Sequence, residues 1–317
     1  MQSPHVHSLF RAVAVLSSLG LAGCDLQNTP PPGVSDTPGL IQPAPATPAS
    51  AASQALRAYY ARVQSGLLSQ GLLRTDGGTR DAPFSDRTLA QNFIRIAAFD
   101  EYASTATGPV QSETASTLRR WQTPVRIGLR FGASVSAAMR TADTARVAAL
   151  VTRLARATRH PIRIDNANPN FIVNIVNEDE RQIIGPAAAA ALPGLTAADL
   201  AGLTDMPRST YCLVYAQSGA GSSTYTRAFA VIRAEHPDLL RLSCLHEEIA
   251  QGLGLANDSP QARPSIFNDN EEFALLTPQD EMMLRILYHP TLIPGMTADQ
   301  ARPIVQTLAT QLLGGES

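Results

Sequence analysis

Charge is scarce in this chain. Of its 317 residues 16% are Asp, Glu, Lys or Arg, the two signs nearly cancel to a net −2, and the pI is about 6.3. No basic run interleaved with aromatics occurs, which excludes the electrostatic footprint of a nucleic-acid binder. Cysteine is rarer still, at three residues. No serine stands in a nucleophile-elbow context, and Cys212 and Cys244 have a structural explanation as a pair, so neither a Ser/His/Asp nor a Cys/His hydrolase is supported. A membrane-spanning run is missing as well: the apolar stretch from Ala12 to Leu21 is too short to be a permanent transmembrane helix. What the chain does have is 44% hydrophobic content, enough for one domain of ordinary to large size with appendages.

The N-terminus carries Arg11, the short apolar run, and then Leu21-Ala22-Gly23-Cys24. This resembles the bacterial lipoprotein signal and implies a signal peptide over 1–23, cleavage before Cys24 and lipid on that cysteine. The membrane would then be a partner through the lipid, on the periplasmic side of the envelope. Asp25 resembles a cue for retention at the inner membrane. An ordinary secretory leader or a short buried helix is the other reading. Residues 24–50, rich in Pro, Ala and Ser, read as a tether. Setting Cys24 aside leaves Cys212 and Cys244, an even pair expected to bridge in an oxidising compartment, with two buried free thiols as the alternative.

Residues 51–80 read as a helical extension, with an amphipathic pattern over Gln54 to Leu73. The main domain is expected over 81–317, with an upper part to about 256 and a smaller helical part from 257. Asp86 to Glu101 reads as a helix running into a strand. Val125, Ile127, Leu129 and Phe131 alternate as a half-buried strand, and Thr144 to Thr158 has helical spacing. Pro161 to Ile164 and Phe171 to Val176 are strands, the second apolar enough to be central. Ile183 to Thr204 reads as a loop or helical excursion. Tyr211 to Ala216 and Arg227 to Ala234 form a hairpin-like pair, and helices are expected over 277–288 and 297–313. Strand, helix and strand in succession give an α/β (α+β) fold with a mixed sheet.

One run organises the rest: Leu245 to Ser259, LHEEIAQGLGLANDS. Leu242, Leu245, Ile249 and Leu253 recur as one apolar stripe, so Asp238 to Leu253 reads as a helix stopped by Gly254. Glu247 and Gln251, four apart, share the opposite face with Glu248 beside them. Written beside the metzincin signature H-E-x-x-H-x-x-G-x-x-H, the run from Glu247 to Asp258 matches in register, with Glu248 on the catalytic Glu and Gly254 on the turn glycine. The three histidine positions hold other residues. Ser265-Ile266-Phe267 resembles the metzincin Met-turn with Phe267 in place of Met, and Leu276 to Tyr288 resembles the closing helix. The pattern is also similar to an uncharacterised family of proteobacterial lipoproteins, over roughly Phe84 to the C-terminus. The resemblance implies a zincin-like fold: a twisted mixed sheet, a backing helix, the motif helix and a small helical C-terminal subdomain.

The altered motif changes the chemistry. Glu247, Gln251, Asn257 and Asp258 stand at or beside the ligand positions and offer oxygen donors alone, which disfavours zinc and suits a hard cation such as calcium in a sparse cage. No cofactor is the favoured expectation. His246 lies near the apolar stripe with Ala250 four residues on, so it reads as a core histidine. Glu248 keeps the general-base position but, without a metal to activate water, is a weak catalyst of amide hydrolysis. Two readings follow: a non-catalytic envelope module that binds a peptide or protein at a sheet edge, with Glu247, Gln251 and Asn257 bonded to one another and to backbone, or a hydrolase using Glu248 with an atypical metal.

Overall fold

The computed structural model describes residues 49–78, 80–105 and 108–314. The signal peptide, Cys24, Asp25 and nearly all of the tether lie outside these residues.

The first helix, α1 (Ala51–Ser69), starts at Ser50, whose side chain accepts the Ser53 N–H. It packs through buried Tyr60, and Ser53 Oγ donates to buried Glu235 at 2.6 Å. Helix α2 (Asp86–Ala97) is capped by Ser85 and buries Leu89, Phe93, Ile94 and Ile96. It runs into an antiparallel pair, β1 (Phe99–Thr105) and β2 (Gly108–Ala115).

The main sheet contains β3 (Arg120–Trp121), β4 (Val125–Phe131), β5 (Ile162–Ile164), β6 (Phe171–Val176), β7 (Cys212–Ser218) and β8 (Thr224–Arg233). Strands β5, β4, β6 and β8 lie side by side and parallel, β3 adds a short parallel pairing to β8, and β7 runs antiparallel to β8. The hairpin expected of β7 and β8 is therefore present at the margin of a mostly parallel sheet. Helix α3 (Ala137–Thr158) makes the crossover between β4 and β5 that parallel strands require. It begins earlier than its apolar spacing suggests, because Ser136 caps it.

Both faces of the sheet are covered, as parallel sheets demand. Phe171, Val173 and Ile175 of β6 and Ala230 and Ile232 of β8 join one core with α2, α3 and the motif helix. Phe229 and Val231 join the other with Ile184, Ala188 and Leu203. Those last residues belong to α4 (Glu178–Gln182), α5 (Gly185–Ala191), α6 (Ala197–Thr204) and their joints, which resolve the stretch expected to be an irregular excursion. The motif helix is α7 (Asp238–Gln251); α8 (Pro278–Leu287) and α9 (Ala298–Gly314) follow, with α9 packed on α2 and α8.

Candidate functional site

An acidic cleft between strand β7 and helix α7

Helix α7 is held at both ends. At its start, buried Arg241 pairs with buried Asp143 of α3 at 2.7 Å and also donates to the His236 carbonyl. Arg241 also reaches the exposed Asp238 at 2.7 Å, so Asp143 is its buried counter-charge, and losing it costs about 3–5 kcal/mol at most. At its end, carbonyls with no helical partner are satisfied from outside: Trp121 Nε1 donates to Gly252 O at 2.8 Å and Tyr288 OH to Leu253 O at 2.9 Å.

The same geometry explains the two glycines. A Cβ on Gly252 would stand 2.4 Å from the Phe171 ring. Gly254 has φ +122°, and a Cβ there would lie 2.2 Å from the Arg119 carbonyl oxygen. Only glycine gives the chain both the left-handed backbone and the close approach that end the helix at Gln251. His246 is buried on the apolar side, where its Nδ1 accepts the Leu276 N–H at 3.2 Å, and burial pushes its pKa down to about 3. It is a core histidine.

The polar side of α7 faces the edge strand. Cys212 and Cys244 form a disulfide that ties the first residue of β7 to the middle of α7, with their Cα atoms 5.9 Å apart. Beside it opens a cleft of about 400 Å³ whose lining includes Tyr211 and Cys212, then Glu247, Glu248 and Gln251, and finally Asp258, Asp269 and Glu271. Glu248 is buried and Glu247 partly so. Gln251 Nε2 donates to Asp258 Oδ1 at 3.4 Å, which joins the helix to the loop after it.

Four of the expected motif residues, Glu247, Glu248, Gln251 and Asp258, therefore meet, and Asn257 does not join them. Its backbone N–H donates to the Ile96 carbonyl and its Nδ2 to the Arg95 carbonyl, so it satisfies the carbonyls at the end of α2. Gln251 thus bonds Asp258, while Asn257 bonds the backbone of α2. Ser265, Ile266 and Phe267 do not line the cleft. Ser265 Oγ donates to Asp280 at 2.5 Å, the Ile266 N–H donates to the same carboxylate, and Phe267 is fully buried while its carbonyl accepts the Ser259 N–H. The turn is thus a buried strut that fixes the path of the chain beyond Asp258.

Asp269 and Glu271 are cleft residues that spacing did not reveal. Leu73 N–H donates to Glu271 O and Arg74 N–H to Glu272 O, each at 2.8 Å, so the segment after α1 holds this loop in place. Arg74 further pairs with Glu272, Asp76 and Asp81. Glu271 sits at φ +58°, uncommon for a residue with a side chain. Burial and the neighbouring Asp269 push its pKa up to about 7, and burial raises Asp269 as well. The sequence signal was the run Asn268-Asp269-Asn270-Glu271-Glu272, legible as acidic but not as part of this cleft.

Among the described residues the lining thus holds five carboxylates and no Lys, Arg or His. Their oxygens suit a hard cation or a cationic side chain; zinc, which is built into sites by His and Cys, does not fit this donor set while both cysteines are bridged.

Together these features define a mixed α/β domain whose mostly parallel sheet ends in an antiparallel strand, with an acidic cleft between that strand and a disulfide-tied helix. The chain belongs to the family described as "Protein of unknown function (DUF2927)", whose model matches residues 86–307 and so covers every cleft residue. No curated protein and no solved structure matches it.

Proposed function

We propose that the domain is a non-catalytic binding module of the cell envelope, derived from a zincin-like peptidase, that takes an extended segment of a peptide or protein along β7 and holds its basic side chains over the acidic cleft. One observation carries this reading: five carboxylates line one cleft beside a strand that pairs with β8 alone among the named strands. A marginal strand adds a partner through backbone hydrogen bonds, and side-chain pockets supply the selectivity. The register of Glu248 and Gly254 against the metzincin signature supports the peptidase ancestry. Lipid on Cys24, a periplasmic site and inner-membrane retention through Asp25 belong to the same proposal and rest on the lipobox.

Binding of an extended Arg-containing peptide, followed by fluorescence anisotropy, tests the module. Its Glu-containing counterpart should bind far more weakly, and salt should weaken the basic peptide. Equal binding of the two peptides would defeat the proposal.

A second reading has its own support. Glu248 is buried in the cleft at the general-base position of the signature, as a hydrolase using a hard metal ion would need. Metal-dependent cleavage of a peptide library, abolished by Glu248→Gln, would favour it over the binding module.

A further inference from the structure

The disulfide at the wall of the cleft has potential donors around it, some of them shared with the cleft lining. Cys244 and Glu248 are four apart on α7 and so share one helix face, with Glu247 at three from Cys244. The Cys212 sulfur and carboxylate oxygens of Glu247 and Glu248 all lie within 4.8 Å of one another. Beside the bridge stands His236, just before the helix, 2% exposed, with Nδ1 3.8 Å from the Cys244 sulfur. Nδ1 is the ring nitrogen placed to share an ion with that sulfur. The ring is held edge-on against Tyr60 at 4.4 Å, which fixes its direction toward the sulfur.

We infer that the disulfide masks a metal site: when Cys212 and Cys244 are reduced, they bind a zinc-class divalent ion together with His236 and a carboxylate of Glu248 or Glu247. Two sulfurs, one imidazole and one carboxylate make a four-coordinate set of the kind this ion favours. Tetrahedral Zn–S bonds of about 2.3 Å place the two sulfurs about 3.8 Å apart, so the S–S bond must open first. A dithiol reductant supplies the two electrons and two protons and leaves as its own disulfide. The ion then takes both sulfurs as thiolates, and two protons pass to water. The disulfide therefore sets whether this region is a covalent tie or a metal tie between β7 and α7, a property separate from what the cleft binds in the oxidised protein.

Cobalt(II) serves as the spectroscopic stand-in for zinc, added to the purified full-length chain with and without prior reduction by a phosphine. The reduced protein should take up one equivalent, with thiolate-to-cobalt charge-transfer absorption and tetrahedral visible bands, and the oxidised protein should show neither. His236→Asn, and Glu247→Gln combined with Glu248→Gln, should each weaken cobalt binding at least about tenfold. A comparison in concentrated urea needs no variant: affinity must fall when the fold is lost, because only the fold brings His236 to the cysteines. Absence of the charge-transfer band in the reduced protein would overturn the inference. Equal affinity in urea, or undiminished binding by the His236 variant, would do the same.

Discussion

Replacing Gly254 by alanine tests the local account of α7 at its tightest point. The backbone there has φ +122°, a conformation nearly restricted to glycine that costs another residue about 1–3 kcal/mol. The added methyl would also stand 2.2 Å from the Arg119 carbonyl oxygen and 2.9 Å from the Leu287 side chain. A flexible side chain can yield, but a backbone oxygen beside β3 yields only if the helix end moves, which adds an overpacking cost of about 1–3 kcal/mol. The sum is about 2–6 kcal/mol, read by urea unfolding followed by circular dichroism. Gly221 supplies the control, since it has φ +66° with nothing within 4 Å of its would-be Cβ. Gly221→Ala should cost about 1 kcal/mol, the strain without the clash. If the two variants lose the same stability, close packing against Arg119 is not what fixes the end of α7, and the reasoning fails.

Opening the disulfide by Cys212→Ser with Cys244→Ser removes a closure over a sequence separation of 32, and chain entropy predicts a loss of about 4 kcal/mol in thermal or denaturant unfolding. Asp143→Ala should cost up to about 3–5 kcal/mol, because Arg241 keeps its burial and loses its buried counter-charge while retaining the exposed Asp238; Asp143→Ala with Arg241→Met should recover part of that loss in the same assay. Glu271, raised to about 7 by burial and Asp269, gives the pH dependence. Its folded-state pKa lies above its ordinary value of 4.5, so this group's contribution to stability is greatest below that value and declines as pH rises through about 7. Cation binding runs the other way: the basic peptide should bind several-fold more tightly at pH 8 than at pH 6, and Glu271→Gln should flatten that profile. A flat profile in the unmodified protein would remove Glu271 from the cleft's working charges.

The parts of the fold that were legible are those where periodicity and burial agree. Val125 to Phe131 alternates and Phe171 to Val176 is continuously apolar, and both are strands of the main sheet. The stripe of Leu245, Ile249 and Leu253 identified the motif helix and its buried side. Of the β1–β2 pair only the entry into β1 was legible, because the Ser- and Thr-rich sequence beyond it lacks a sustained apolar alternation. Helices α4 and α6 are short and announced mainly by the capping boxes Asn177 with Glu180 and Thr196 with Asp199, a signal weaker than a hydrophobic stripe. For the cleft, helical spacing sufficed for Glu247, Glu248 and Gln251, since the helix itself places them. Asn257 could not be placed that way, because its partners are carbonyls of α2, 162 residues away for Arg95. The loop that carries Asp269 and Glu271 is held by bonds from Leu73 to Glu271 and from Arg74 to Glu272, a long-range contact that leaves no periodic trace.

The claim that the cleft is a receptor for basic side chains is tested most directly by calorimetric titration of the oxidised protein with an extended Arg-containing peptide at pH 8, repeated with the double variant Glu247→Gln, Asp258→Asn. The account predicts saturable binding to the unmodified protein that weakens about tenfold or more when those two charges are removed, at roughly 1 kcal/mol for each cation–carboxylate contact in water. Binding that survives the double variant unchanged, or no binding at all by the unmodified protein, would contradict it.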